Sequence, residues 1–181
     1  MDDLRWQLGA RYPGADYRIF KTGFVDATHP KVSGIKRFSL IDCVDWVNVI
    51  AVTPDRQVVL IRQYRPGTDG VYLEIPGGMV DEGEDPETAA ARELEEETGY
   101  VGTSIERIGR VAPNPAIQNN YLHTYLVLGA APTSAMRLDS SEVITVETAP
   151  LADAYQMCRD GRIDHALVVA AFGHLALRGS V

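Results

Sequence analysis

From Asp45 onward, apolar and polar positions fall into short blocks whose period changes along the chain. Trp46–Val52 (WVNVIAV) and Gln57–Ile61 are apolar runs of strand length, joined across Thr53-Pro54-Asp55-Arg56, a tetrapeptide that favours a turn. Gln63-Tyr64-Arg65-Pro66-Gly67 reads as an exposed polar and aromatic corner, and Val71–Ile75 as a short strand running into Pro76-Gly77-Gly78. Ser104–Ala112 and Tyr121–Leu128 read as strands on either side of Pro113-Asn114-Pro115-Ala116-Ile117, a loop stiffened by its prolines, and Glu142–Glu147 is a last strand. The spacing then becomes helical. Pro150–Asp160 carries Leu151, Ala154, Tyr155 and Cys158 on one side and is closed by Gly161, while Asp164 caps a second helix from His165 to Arg178, ended by Gly179. That helix is apolar on most sides and is expected to pack on the sheet; His165 and His174, on or beside it, read as structural. Ahead of residue 45, Tyr17–Phe20 and Lys36–Ile41 are β-like runs separated by Gly, Thr, His and Pro, which predicts a small antiparallel subdomain. His29, before Pro30 in a turn, reads as a solvent-exposed loop residue.

Between the fourth and fifth of these blocks lies GMVDEGEDPETAAARELEEETGY, residues 78–100. Asp85 suits an N-cap, Pro86 the first helical position and Gly99 a left-handed helix end, so a helix is predicted over Pro86–Thr98. Ala89, Ala90 and Leu94 give it an apolar side, and Glu93, Glu96 and Glu97 neighbour one another on the opposite side at i, i+3 and i+4. Such like charges destabilise a helix by roughly 0.2–0.5 kcal/mol per pair, and acids near its C-terminal end also oppose the macrodipole. A hard divalent cation removes both penalties. Mg²⁺ prefers oxygen ligands and typically takes a few carboxylates together with substrate phosphates.

Composition narrows the class. The chain has 181 residues, is 45% hydrophobic and carries a formal charge of −8, which suits one substantial domain with a small extension and argues against nonspecific binding to nucleic acid. No apolar run is long enough to span a membrane and the start lacks the pattern of a signal peptide, so a cytoplasmic protein is expected. Cys43 and Cys158 have no metal-type spacing and read as buried free thiols. Strands flanked by helices at the middle and end suggest a mixed sheet between helical layers.

Gly78, Glu84 and the run Arg92-Glu93-Leu94-x-Glu96-Glu97-x-Gly99-Tyr100 resemble the signature of the Nudix hydrolases; only Tyr100 stands where the family more often has an aliphatic residue. The resemblance implies an α/β/α sandwich with a mixed β-sheet over residues 46–181, preceded by a small N-terminal antiparallel β subdomain, residues 1–45, that serves dimerisation. It implies that Glu93, Glu96, Glu97 and the carbonyl of Gly77 ligate two or three Mg²⁺ ions, with Mn²⁺ as a substitute, and that Glu84 and Arg92 form a supporting ion pair. The corner Arg62-Gln63-Tyr64-Arg65, the β extension and Gly161-Arg162-Ile163-Asp164 are similar to the ADP-ribose and nucleoside diphosphate sugar pyrophosphatases. The expected reaction is cleavage of a nucleoside diphosphate sugar such as ADP-ribose or GDP-mannose into a nucleoside monophosphate and a sugar phosphate. Arg65 is the candidate diphosphate clamp, since a guanidinium binds phosphate oxygens in a fork, and Trp46 and Tyr64 are candidates for stacking on the base. By the same resemblance the general base comes from 138–146, with Glu142 as candidate and Asp139 as the shorter alternative. Two other readings stay open at this stage: hydrolysis of nucleoside triphosphates or dinucleoside polyphosphates, and a non-catalytic ligand-sensing module. A homodimer is expected.

Overall fold

The computed structural model describes residues 2–179; Met1, Ser180 and Val181, at the outer ends of the two expected domains, lie outside the described residues. The chain divides into two compact units, one running up to Val44 and including Ala112–Tyr121, the other comprising Asp45–Val111 and the chain from Leu122 on. In the first unit a short 3₁₀ turn, Asp2–Leu4, precedes three antiparallel strands in the order β1 (Gln7–Asp16), β2 (Lys21–His29) and β3 (Val32–Asp42). The register of β1 slips at Leu8/Arg11 and Pro13/Asp16, so this Gly- and Pro-containing stretch, invisible as a strand in the apolar pattern, pairs only with irregularities.

Tyr17–Phe20, expected as a strand, is instead the turn between β1 and β2. Tyr17 N donates to Phe20 O at 2.9 Å, Arg18 is left-handed at φ 71°, and Asp16 Oδ1 accepts from Arg18 N at 2.9 Å. His29 closes β2 rather than lying in a loop: it is half-buried, with Nε2 3.1 Å from Asp3 O and its ring 5.3 Å from that of Trp6. The proline-bound segment 112–121 belongs to this unit, where Ile41 N donates to Ile117 O at 2.8 Å and Cys43 N to Asn119 Oδ1 at 2.9 Å.

The second unit is built on a sheet of β4 (Trp46–Val52), β5 (Gln57–Arg65), β6 (Gly70–Glu74), β7 (Gly77–Met79), β9 (Ser104–Val111), β10 (Leu122–Leu128) and β12 (Ile144–Pro150), on the path β12-β5-β4-β10-β9. A two-stranded ladder, β8 (Tyr100–Val101) with β11 (Ala131–Pro132), and the helices α1 (Pro86–Thr98), α2 (Leu151–Asp160) and α3 (Ala166–Arg178) complete it. β4 and β10 run parallel; the other pairings are antiparallel. Because both faces are covered, the central strands read as continuous apolar runs. Ile50, Val52, Leu60 and Leu126 pack under α2 and α3, whereas Val47, Val49, Ala51 and Val127 pack under α1 with Ala89, Ala90 and Leu94. The result is an α/β/α sandwich.

β4 and β5 pair only at Val52↔Val58 and then part. β7 fills the opening along β4, and β6 continues along β5. This split places Gly77 and Gly78, at the start of β7, against β4 in the middle of the sheet.

Several boundaries differ from the sequence reading. β5 continues through Gln63, Tyr64 and Arg65, which pair with β6, so the turn falls at Pro66–Asp69 rather than at an exposed corner from Gln63. β12 begins at Ile144, leaving Glu142 in a preceding turn closed by Glu142 N on Asp139 O at 3.0 Å. Pro150 ends β12 and α2 starts at Leu151. α3 is not capped by Asp164: His165 holds the N-cap position without a side-chain cap bond, its ring being engaged elsewhere. Cys43 and Cys158 are free but only half-buried. Among the described residues no helix is long and apolar enough to cross a membrane.

Candidate active site

α1 forms where its termini dictate: Asp85 accepts from Glu87 N at 2.9 Å, Pro86 opens the first turn, and Gly99 ends it at φ 73° with its N–H on Glu95 O. The helix presents Glu93, Glu96 and Glu97 to a polar basin of about 390 Å³. Gly77 and Gly78 of β7 face them, Gln63 and Arg65 come from β5, and Asp139 and Glu142 come from the segment before β12. Glycine is required at 77 because a Cβ there would stand 2.3 Å from Val47 O, a backbone atom that cannot yield.

Glu97 is the most confined acid, 2% exposed, with Oε2 accepting from Gly77 N at 2.9 Å. Burial pushes its pKa up to about 8; the Gly77 N–H opposes this, and the charges of Glu93 and Glu142 add to it. Burial also raises Glu93, against the pull of Arg92. Arg92 joins Glu84, Glu93 and Glu96. It grips Glu84 with Nε and Nη2, both at 2.9 Å, donates from Nη1 to Glu93 at 2.8 Å and Glu96 at 3.2 Å, and reaches Met79 O at 3.1 Å. Glu84 is held below the ordinary carboxylate range by that guanidinium, and its Oε2 also accepts from Asp81 N at 3.1 Å, tying the preceding loop to the helix. Among the described residues no three ligand-type side chains enclose an ion as they lie; Glu93 and Glu96 are turned to Arg92, and Glu97 to the Gly77 amide. The donor chemistry nevertheless fits a hard divalent cation, since three carboxylates with too little positive charge around them line one cleft.

Asp139 and Glu142 reach the basin because Arg137 N donates to Glu96 O at 2.8 Å, anchoring the segment on the open end of α1. Glu142 Oε2 accepts from Asp139 N at 3.0 Å, so the two acids share one turn. The charge of Glu142 contributes to the raised pKa values of Glu93 and Glu97.

Arg65 stands on the far wall, with Nε and Nη2 each 2.7 Å from the two oxygens of Glu74. Glu74 is 3% exposed and also takes His165 Nδ1 at 3.1 Å. Burial alone would raise Glu74, but the hydrogen bonds from Arg65 and His165 and the charge of Arg65 outweigh it and bring its pKa down to about 2. Beyond Arg65 opens a second, mainly apolar cavity of about 330 Å³, walled by Trp46, Ile75, Leu122, Leu167 and Val168, and sharing Arg65, Gly77, Gly78 and Met79 with the acid basin.

Of the residues singled out in the sequence, Arg92, Glu93, Glu96, Glu97, Gly77, Arg65, Asp139 and Glu142 therefore line one basin, Glu84 is tied to it through Arg92, and Trp46 lines the neighbouring cavity. Tyr64 lines neither. Side chains alternate along β5, so with Gln63 and Arg65 turned to the basin Tyr64 points away, exposed, its hydroxyl donating to Asp69 at 2.8 Å. Sequence reasoning missed Glu74 and the engagement of His165. A carboxylate inside the otherwise apolar VYLEI was the available signal, because a buried charge needs a partner. His174 lies against Gly109, where a Cβ would meet its ring at 2.2 Å.

The site is thus a split sheet whose β7 glycines face a helix lined with carboxylates. The chain belongs to the Nudix hydrolase family, for the NUDIX domain matches residues 45–172. Over 162 residues, 89% of this chain and 87% of the other, it is 35% identical to the methanol dehydrogenase activator of Bacillus methanolicus. It is 31% identical over 133 residues to the ADP-ribose pyrophosphatase of Bacillus subtilis, covering 73% and 72% of the two chains. Among solved structures, an ADP compounds hydrolase superposes with a TM-score of 0.82 over 95% of this chain and 92% of its own, at 21% identity, which establishes a shared fold. Nudix hydrolases generally use divalent metal ions.

Proposed function

We propose that the protein is a Mg²⁺-dependent pyrophosphohydrolase of nucleoside diphosphate sugars of the ADP-ribose or GDP-mannose type. The observation that carries the reading is the adjacency of the two cavities: an acid basin suited to a metal-bound diphosphate shares Arg65, Gly77, Gly78 and Met79 with an apolar cavity suited to a substrate end. Glu93, Glu96, Glu97 and the Gly77 carbonyl would hold the ions. Bound there, Mg²⁺ supplies neutralisation of the phosphate charge and acidification of water. Arg65, braced by Glu74, offers its remaining guanidinium edge to phosphate oxygens, and Trp46 offers an apolar wall to a base or sugar. Water attacks phosphorus, the anhydride P–O bond breaks, and Glu142 takes the proton; the products are a nucleoside monophosphate and a sugar phosphate. The N-terminal β extension supplies a dimerisation surface, and the working form is a cytoplasmic homodimer.

The test is product analysis over ADP-ribose, GDP-mannose, UDP-glucose and deoxynucleoside triphosphates, with Mg²⁺ and with EDTA. Turnover of at least one diphosphate sugar, abolished by EDTA and well above that of the triphosphates, is expected. Preferential hydrolysis of triphosphates would overturn the substrate assignment, and binding without turnover would overturn the enzymatic one.

A further inference from the structure

Glu74 and His165 stand outside the metal basin, yet they are among the most firmly held polar groups near it. The Glu74 carboxylate is forked by Arg65 and also bonded to His165 Nδ1 at 3.1 Å. A carboxylate paired with a guanidinium is ionised and can only accept, so the imidazole proton lies on Nδ1. In the neutral ring Nε2 is then an acceptor, and it has no partner among the described residues. The ring has a further neighbour, and the backbone that carries it is held by the helix. Tyr72 packs edge-on at 6.3 Å, and the His165 carbonyl accepts from Val168 N and Val169 N, each at 3.0 Å, in the first turn of α3. His165 lines the apolar cavity beside Trp46, Leu167 and Val168, a space of about 330 Å³ that holds one end of a nucleoside diphosphate sugar rather than all of it. Apolar walls separate related substrates weakly, whereas a fixed acceptor rejects a ligand that lacks the matching donor.

We propose that His165 is a specificity-determining residue: through Nε2 it accepts a hydrogen bond from a hydroxyl or amine on the substrate end that fills this cavity, and Glu74 is the positioning residue that fixes its tautomer. The inference rests on the pyrophosphatase reading given above. The cavity's neighbours leave two sources for the donor, the sugar or the base, and matched substrate pairs tell them apart.

The experiment measures kcat and KM for wild type, His165→Leu and His165→Gln on ADP-ribose against its hypoxanthine counterpart, and on ADP-glucose against ADP-2-deoxyglucose, with thermal unfolding of each variant as a control for folding. Wild type is expected to favour the donor-bearing member of one pair by roughly tenfold. His165→Leu should bring that ratio close to one, mainly by raising KM for the donor-bearing substrate, with little change for the analogue. His165→Gln, whose amide oxygen can serve as acceptor, should recover part of the ratio. Loss in the first pair assigns the base and loss in the second the sugar. Equal ratios in wild type and His165→Leu for both pairs, or an equal fall in kcat for every substrate, would overturn the inference while leaving the pyrophosphatase reading intact. Should the leucine variant fail to fold, His165→Ala carries the same comparison. Absence of turnover by wild type on every diphosphate sugar would overturn both.

Discussion

Glu142 and Asp139 illustrate how closely two candidate roles can lie. They occupy one turn and one basin wall, and Glu142 uses one carboxylate oxygen to accept from Asp139 N. Glu142→Gln keeps that shape and removes the basicity, so kcat should fall by roughly 10²–10⁴ with Mg²⁺ affinity retained. Asp139→Asn should cost far less; a collapse there with near-normal Glu142→Gln would transfer the role. Glu96→Gln and Glu97→Gln should each lose activity by orders of magnitude with unfolding temperatures kept, and activity within a few-fold of wild type would refute their assignment as metal ligands. Glu74 has a different signature because its pKa is lowered from 4.5 to about 2 on folding. Its stabilising contribution is present above about 4.5 and is lost as pH falls toward about 2, with an upper value of about 3 kcal/mol from the size of the shift. Glu74→Gln should therefore lower stability near neutrality and flatten the acid limb of a denaturation series; an unchanged acid limb would show that the pairing contributes nothing.

The acidic helix α1 carries the acids proposed as metal ligands, and their protonation is coupled to folding. Burial raises Glu97 from 4.5 to about 8, so folding favours its protonated form, and the associated stability is complete below about 4.5 and lost as pH rises through about 8. A divalent cation needs the carboxylate and must displace that proton, so metal affinity should climb between those limits. Calorimetry with Mg²⁺ and with EDTA should show a small rise in Tm near pH 5.5 and a larger one near pH 8.5. In Glu97→Gln the increment should be reduced and less dependent on pH, with the raised Glu93 carboxyl keeping part of the dependence. A pH-independent increment in wild type would remove Glu97 from the ligand set. The helix bounds themselves were legible, since Asp85, Pro86 and Gly99 fix them by local backbone chemistry.

On the scale of the molecule, the first sheet sets the oligomerisation question. β1 is exposed along its whole length, and Leu8, Tyr12, Phe24, Ile35 and Phe38 are large apolar side chains left open on the three strands. A second copy is the partner proposed for this surface. Sedimentation at assay concentration should give the mass of a dimer, and Phe38→Asp with Ile35→Asp should shift it to monomer; a wild-type monomer with full activity would refute the assignment.

The sequence by itself determined what local chemistry controls: the ends of α1, the apolar central strands β4, β5 and β10, the layered fold, and the acids at i, i+3 and i+4. Those features depend on residues close together in the chain or on a periodicity that one covered face imposes. Tertiary structure decided the rest. That Gln63 and Arg65 face the basin while Tyr64 does not depends on how far β5 continues beside β6, which the turn at Pro66–Asp69 settles. That Tyr17–Phe20 is a turn depends on Arg18 accepting a left-handed backbone and on the irregular strand before it. Glu142 reaches the acids through Arg137 on the end of α1, and Glu74 joins His165 across 91 positions. Such meetings are set by packing between distant segments, where one carboxylate in an apolar strand signals only that a partner is needed and not which side chain supplies it.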